Sequence, residues 1–91
     1  MSSASFKDFE ADALARGFTA VLERQWAPGT AIDTHTHPFA VEARVVQGEM
    51  WLTVGSQTRN LRVGDGFELD REVAHAERYG SEGATYWVAR R

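Results

Sequence analysis

Hydrophobic and polar positions change their spacing once along the chain, close to Gly17. Before it, the apolar residues Phe6, Phe9 and Ala13 recur at intervals of three and four, behind a serine that can cap the first turn. This spacing predicts one short helix over Ser5–Arg16, ended by the glycine. Beyond the glycine, short runs of about five to nine residues alternate with glycine-containing turns, a spacing typical of a β-sandwich or barrel.

The second part of the chain is expected to be all-β. It predicts a jelly-roll barrel, or double-stranded β-helix, that follows one short N-terminal helix. The expected division is an N-terminal extension over residues 1–17 and a barrel domain over residues 18–91. The predicted strands are Thr19–Trp26, Ala31–His37, Val41–Gln47, Glu49–Val54, Gln57–Arg62, Phe67–Leu69, Ala74–Tyr79 and Ala84–Ala89.

Composition excludes several classes of function. The net charge of −3 and the lack of a Lys/Arg cluster argue against a nucleic-acid partner. No apolar run resembles a signal peptide or a membrane span, and there is no cysteine, so a cytoplasmic location is expected. A domain of 91 residues has a thin stability margin, which a metal or a second subunit would widen. We therefore expect a homodimer to which Phe6–Trp26 contributes.

Two of the three histidines, His35 and His37, are two residues apart in a predicted strand. Side chains at i and i+2 of a strand point to the same face, about 6.5–7 Å apart. Two imidazoles so placed can share one metal ion at about 2.0–2.1 Å, the length of zinc–nitrogen bonds. Such a pair on a strand more often reflects surface or core packing, so the metal interpretation depends on the rest of the pattern.

Glycines and the last histidine frame this pair. Gly29 precedes the pair by a gap of five residues, and Gly48 follows it eleven residues later. A Gly-Asp step at Gly64 then leads to His75. With these spacings the sequence, from about Trp26 onward, resembles the two motifs of the cupin superfamily. The first motif is a glycine, five residues, HxH, a glutamate and a second glycine, and the second motif runs from Gly-Asp to a histidine.

The resemblance implies a role for each histidine. In cupins the histidines at these positions bind iron, manganese, zinc or nickel, so it implies that His35, His37 and His75 hold one divalent metal ion. The second motif departs from the usual pattern at two positions. Asp70 and Glu72 stand where a proline and a glycine are usual.

The carboxylate of the first motif is displaced. Glu42 lies five residues after the HxH pair, but counting back from Gly48 puts Val41 at the usual glutamate position. Because side chains alternate across a strand, this offset turns Glu42 to the outer face unless a bulge near Pro38 intervenes. We therefore expect that Glu42 is not a metal ligand.

Two further carboxylates share a strand face with the histidines. Glu77 comes two residues after the last histidine, and Asp33 comes two residues before the first. For Glu77, a salt bridge to Arg44 or Arg78 is expected ahead of metal ligation. Asp33 fits a position beyond the barrel mouth as well as one beside the ion.

Apolar side chains are expected to fill the barrel and, around a metal, to wall a small pocket. Phe39 and Trp51 are the aromatic candidates to face a ligand, although core packing explains them equally well. Val41 and Glu77 complete the predicted pocket. The inward set is Phe39, Val41, Val45, Trp51, Phe67 and Trp87, whereas Arg44, Arg59, Arg62 and Arg71 are expected on the solvated surface.

The pattern leaves three functions open. A metal held by three imidazoles keeps positions for a small-molecule substrate, which suits a metal-dependent oxygenase or isomerase. The same site suits a non-catalytic module that binds or senses a small molecule and acts through a partner. A metal-free interaction domain would instead hydrogen-bond its histidines to each other or to water. No catalytic acid or base is evident from the sequence beyond Glu77.

Overall fold

A computed structural model describes residues 5–91, and the first four residues of the expected N-terminal extension lie outside this range. One helix precedes six strands, which confirms the prediction of an all-β barrel that follows one short N-terminal helix. No helix in the described range is long and apolar enough to cross a membrane. The elements are α1 (Phe6–Ala15), β1 (Ala20–Trp26), β2 (Ala31–His35), β3 (Val41–Val54), β4 (Gln57–Arg62), β5 (Gly66–Leu69) and β6 (His75–Arg90).

Local signals set both ends of α1. The Ser5 hydroxyl accepts a hydrogen bond from the backbone N–H of Asp8 at 3.1 Å, so Ser5 is the expected N-cap. Gly17 follows the helix with φ +97°, a left-handed conformation that glycine adopts without strain. Phe9 and Ala13 are buried, so this face of the helix packs against the barrel.

The two long strands β3 and β6 each contribute to two sheets. In one sheet the order is β1, the second half of β6, the first half of β3, and β5. In the other it is β2, the first half of β6, the second half of β3, and β4. All these pairs are antiparallel, and this arrangement confirms the jelly-roll prediction. The eight predicted strands are therefore eight segments within six continuous strands.

Two of the predicted turns do not interrupt a strand, and glycines at the bends explain why. Gly48 lies within β3 at φ +76°, and a Cβ there would lie 2.1 Å from the carbonyl oxygen of Gly83. Gly83 lies within β6 at φ +70°, and its own Cβ would meet the Trp26 carbonyl at 2.2 Å. Only glycine allows so close an approach of backbones, so both strands bend here and continue into the second sheet.

Hydrophobic residues form two clusters on opposite faces of one sheet. The interior cluster includes Val41, Val45 and Phe67, as predicted. The outer cluster joins α1 to the barrel wall and consists of Phe9, Ala13, Phe18, Trp87 and Ala89. The prediction that Trp87 faces the interior is wrong, because its neighbours Tyr86 and Val88 take the inner face and strand alternation turns it outward.

Candidate metal centre

The three histidines come from two segments that the second sheet brings together. His35 ends β2 and pairs directly with His75, which begins β6. His37 lies in the connection after β2, so the strand predicted to reach His37 ends two residues earlier. The backbone N–H of Glu72 donates a 2.8 Å hydrogen bond to the carbonyl of His37, which fixes this connection against the turn before His75.

The imidazole rings converge on one small volume. Ring centroids lie 4.8 Å apart for His35 and His37, 4.3 Å for His35 and His75, and 5.1 Å for His37 and His75. One nitrogen from each ring lies within 4.8 Å of the other two. Bonds of about 2.1 Å allow two ligand nitrogens to be at most about 4.2 Å apart, so a small inward movement of the rings completes a metal site.

Backbone carbonyls fix the tautomer of the His35 and His75 imidazole rings. The Nδ1 atom of His35 lies 2.8 Å from the carbonyl oxygen of Asp33, and that of His75 lies 2.9 Å from the carbonyl oxygen of Val73. A carbonyl oxygen can only accept, so Nδ1 carries the proton in both rings. The Nε2 atoms of the neutral rings are then unprotonated, which is the form that binds a metal.

Glu77 lies beside these nitrogens. Its Oε2 atom is 3.5 Å from Nε2 of His35 and 3.5 Å from Nε2 of His75. Its other carboxylate oxygen accepts a short hydrogen bond from the hydroxyl of Tyr79. Glu77 is 7% exposed and His75 is 3% exposed, so this group of side chains is shielded from water. The expected salt bridge from Glu77 to an arginine is not formed.

The other carboxylates lie elsewhere. Glu42 faces the outside, where its two oxygens accept from the Arg16 guanidinium at 3.0 and 2.6 Å. Asp33 is exposed, and a register shift in β2 between Ile32 and His35 interrupts the alternation that had placed it beside the histidines. Only Glu77 among the candidate carboxylates therefore approaches the imidazoles.

The predicted pocket is present, but Trp51 is not part of it. Met50 and Leu52 take the inner face of β3, so Trp51 lies on the outer face, where the Arg78 guanidinium stacks over its indole at 4.4 Å. A cavity of about 50 Å³ opens beside the histidines. It is lined by Leu22, Arg24, His37, Phe39, Val41, Phe67, Leu69, His75, Glu77, Tyr86, Val88 and Arg90.

Sequence reasoning did not identify Tyr79, Arg24 or Arg90 as site residues. Tyr79 has the same strand parity as His75 and Glu77, so that signal was available. Arg24 lies on the edge strand β1, where the sequence does not indicate which residues face the barrel. Arg90 is the last residue of β6, three residues past Trp87, whose orientation was assigned to the wrong face.

Burial changes the acid–base properties of several of these groups. Partial burial, together with the neighbouring imidazoles, lowers the pKa of His37 below its ordinary value, so the ring stays neutral to lower pH. Burial raises the pKa of Tyr79 far above its ordinary value, and burial likewise raises the pKa of Tyr86. The Tyr79 hydroxyl therefore keeps its proton and acts as a permanent donor to Glu77.

Comparison with known proteins agrees with this geometry. Residues 23–89 match the family model of the cupin domain. This match covers well over half of the chain, and the protein therefore belongs to the cupin domain family. A search of curated proteins finds no significant match.

Solved structures show the same fold. The cupin domain of Schizosaccharomyces pombe Cnp3 superposes with a TM-score of 0.73 at 14% identity over 81% of this chain, which spans about half (52%) of that chain. KdgF from Halomonas sp. gives 0.67 at 19% identity, over 78% of this chain and 67% of that one. A Rhizobium leguminosarum protein of unknown function gives 0.70 at 16% identity, over 99% and 95%. At these identities the likeness concerns the fold alone.

Proposed function

We propose that this protein is a metal-dependent cupin in which His35, His37 and His75 hold one divalent ion beside a pocket for a small molecule. The ion is iron, manganese, nickel or zinc. The observation that supports this most directly is the convergence of three imidazoles, two of which have their Nδ1 proton committed to a backbone carbonyl. A purely structural histidine has no need of a free Nε2 directed at two others.

Glu77 is the residue that we propose as the fourth protein ligand. Its Oε2 atom already lies on the side of His35 and His75 where both Nε2 atoms point, and Tyr79 holds its other oxygen. A carboxylate beside three neutral imidazoles also lowers the net charge that a divalent ion would bring into a buried site. Glu42 cannot take this role because its carboxylate binds Arg16 on the outer face.

A bound divalent ion would supply Lewis acidity next to the pocket, where it could polarise an oxygen atom of a bound molecule. The side chains of the protein supply the walls of the pocket. Phe39 stacks on the His37 ring at 4.9 Å and, with the apolar wall, limits the access of water to the site. His37, His75 and Glu77 line the cavity together with Tyr86, so the polar groups of the site face the space in which a small molecule would lie. This set suits a metal-dependent oxygenase or isomerase that acts on a small molecule.

The second candidate is a non-catalytic module that binds or senses a small molecule. It is favoured by the same cavity, since Glu77 is held by Tyr79 beside the proposed metal ligands and no separate acid or base among the described lining residues faces the space. The nature of the metal discriminates between the two functions. Redox-active iron favours oxygen chemistry, whereas zinc held by four protein ligands favours sensing.

The proposal is tested by metal analysis of protein produced without a histidine tag, followed by calorimetric titration with Zn²⁺, Mn²⁺ and Ni²⁺. We expect about one ion per chain. A variant with all three histidines changed to alanine should lose binding by far more than the ~10–100-fold expected for an outer-sphere change. Circular dichroism must show that the variant still folds. Unchanged metal content in the folded variant would rule out the site.

We also propose that the protein is a homodimer. The strands β1, β5, β2 and β4 are the edges of the two sheets, and an open edge can pair with a second copy. The N-terminal helix already covers Trp87, so the exposed apolar surface is smaller than the sequence suggested, and the large hydrophobic side chains exposed in the described range are Leu14 and Val63. Light scattering at micromolar concentration should give twice the mass of the chain, and the monomer mass would refute the proposal.

A further inference from the structure

Tyr86 is the tyrosine that lines the cavity beside the candidate metal centre. The residue is 7% exposed, and its ring packs edge-on against the ring of Phe67, with the centroids 5.7 Å apart at an angle of 87°. Val88, the next inward residue of β6, belongs to the same interior cluster. Tyr86 therefore brings one hydroxyl, on a ring fixed by packing, into a part of the wall where its neighbours are apolar.

The neighbours of the Tyr86 hydroxyl are donors rather than acceptors. The indole N–H of Trp26 and the hydroxyl of Tyr79 both lie beside its oxygen as donors. Tyr79 gives its proton to Glu77, and the buried indole nitrogen of Trp26 has no hydrogen-bond partner within the described range. No protein acceptor in residues 5–91 takes the proton of Tyr86. Because an unpaired donor in a buried side chain is costly, this O–H requires an acceptor from outside the chain.

The other polar groups of the cavity wall favour the same kind of ligand. Apart from the proposed metal ligands, the polar residues that line the cavity are Arg24, Tyr86 and Arg90. A guanidinium group has N–H donors and no acceptor, and a phenol can donate as well. The free volume of about 50 Å³ accommodates roughly four water-sized groups. The wall therefore favours a very small molecule with oxygen acceptors.

We propose that Tyr86 determines which ligand the cavity accepts, by donating a hydrogen bond to a carbonyl-type oxygen of a molecule with only a few non-hydrogen atoms. Tyr79 lies beside Tyr86 and donates to Glu77, so the bound oxygen would lie close to the candidate metal centre. This inference rests on the proposed function for the existence of a small-molecule ligand, but it does not require a bound metal.

The test compares two probes of the same shape, acetamide and acetamidinium, by NMR titration of the metal-free protein. Acetamide has an acceptor oxygen, and acetamidinium has a second nitrogen donor in its place. Tyr86→Phe removes only the hydroxyl and keeps the ring that packs on Phe67. We expect this substitution to weaken acetamide binding about five- to tenfold and to leave acetamidinium binding within about twofold. Each probe is compared with itself in two proteins of equal charge, which removes the effect of the acetamidinium charge.

Thr85→Val is the matched control. It removes a hydroxyl from the adjacent residue of β6, where the hydroxyl donates to the exposed Gln47 side chain, and it should leave acetamide binding unchanged. A second measurement uses the wild-type protein with ¹³C-labelled tyrosine. Acetamide should shift the Cζ signal of Tyr86 more than that of Tyr79, and this result does not depend on the folding of a variant.

Three results would overturn the proposal: acetamide does not bind the wild-type protein, Tyr86→Phe weakens neither probe, or it weakens both probes equally. The last result would assign Tyr86 to packing alone. Zinc binding by a protein that gives any of these results would leave the proposed metal centre standing. Conversely, a hydroxyl-dependent preference for acetamide in a protein that takes up no metal would refute the metal centre and leave this inference standing.

Discussion

The inner faces of the two halves of β6 are both buried but have opposite chemistry. The first half carries His75, Glu77 and Tyr79 on its inner face, three polar side chains that contact one another or their neighbours in the site. The second half places Tyr86 and Val88 inside, and Trp87 and Ala89 against α1 outside, so both of its faces pack in hydrophobic clusters. One continuous strand thus joins the candidate metal centre to the main packing core.

This difference separates residues that stabilise the fold from residues that a ligand requires. Burying apolar surface favours folding by about 25 cal/mol per Å². Burying a carboxylate is unfavourable unless partners offset its desolvation, and the hydrogen bond given to Glu77 here comes from the Tyr79 hydroxyl, whereas the nearby Nε2 atoms of His35 and His75 carry no proton to donate. The first half of β6 is therefore expected to be less stable without a metal, and substitutions in the two halves should affect different properties.

The largest effect is expected at Trp87, in the second half. Its ring lies 5.9 Å from that of Phe6 and 5.8 Å from that of Phe9, and its indole N–H donates to Glu23. Trp87→Ala should lower the free energy of unfolding by about 3–5 kcal/mol, measured by urea denaturation, because it leaves a cavity under α1. Val63→Ala is the control, since Val63 is 63% exposed and should change stability little. A loss below about 1 kcal/mol at Trp87 would mean that α1 is not docked on the barrel.

The next effect concerns the first half. Glu77→Gln keeps the volume of the side chain and removes its charge, so metal affinity, measured by calorimetry, should fall by more than the about 10–100-fold expected for a residue that only supports a ligand. Tyr79→Phe removes the donor that holds Glu77 and should weaken affinity less than the charge removal does. If Glu77→Gln leaves affinity unchanged, Glu77 is not close to the ion and the centre is formed by the histidines alone.

The sequence was sufficient to predict the fold class, the helix and the histidine cluster. These features depend on short-range patterns: the spacing of apolar residues, a serine at the N-cap, glycines at bends and the spacing within the two motifs. The number of strands was not predictable in the same way. Gly48 and Gly83 are ordinary turn residues in sequence, and only the close backbone contact between them shows that the strands bend and continue.

The orientation of individual side chains was less predictable. Trp51 and Trp87 were placed inside because they are large and apolar, but strand parity places both outside, where Arg78 and α1 cover them. Glu72 departs from the motif without a change of backbone shape. Its φ of +62° is left-handed, which explains why a glycine is usual at that motif position. Tertiary contacts, which single-residue preferences do not contain, decided each of these positions.

A smaller effect is expected from pH at His37, whose ring lies 5.1 Å from that of His75 in the first half of β6. The pKa of His37 is lowered in the folded protein, so below pH ~6.5 the unfolded chain binds a proton that the native site resists. The metal-free protein should therefore lose stability as pH falls from 7.5 to 5.5, by less than about 1.4 kcal/mol per pH unit for a single group. Urea denaturation at these pH values should show a shallower dependence for His37→Gln. Trp87→Ala should keep the wild-type slope, and an equal slope in wild type and His37→Gln would assign the effect to other groups.

The smallest effect is expected at Glu42, which the family motif would make a ligand and the structure places outside. Glu42→Gln should leave metal affinity within about threefold, since an exposed charge away from the ion contributes little.

Glu42→Gln also breaks the ion pair with Arg16 that joins the end of α1 to β3, and a partly exposed pair of this kind is worth less than about 1 kcal/mol. Arg16 lowers the pKa of Glu42, so this contribution exists above pH ~4.5 and disappears as the pH falls through the lowered pKa. A double-mutant cycle of Arg16→Gln and Glu42→Gln measures the pair directly. A loss of metal affinity above tenfold in Glu42→Gln alone would show that a bulge returns this carboxylate to the inner face in solution, and the assignment of Glu77 as the fourth ligand would then fail.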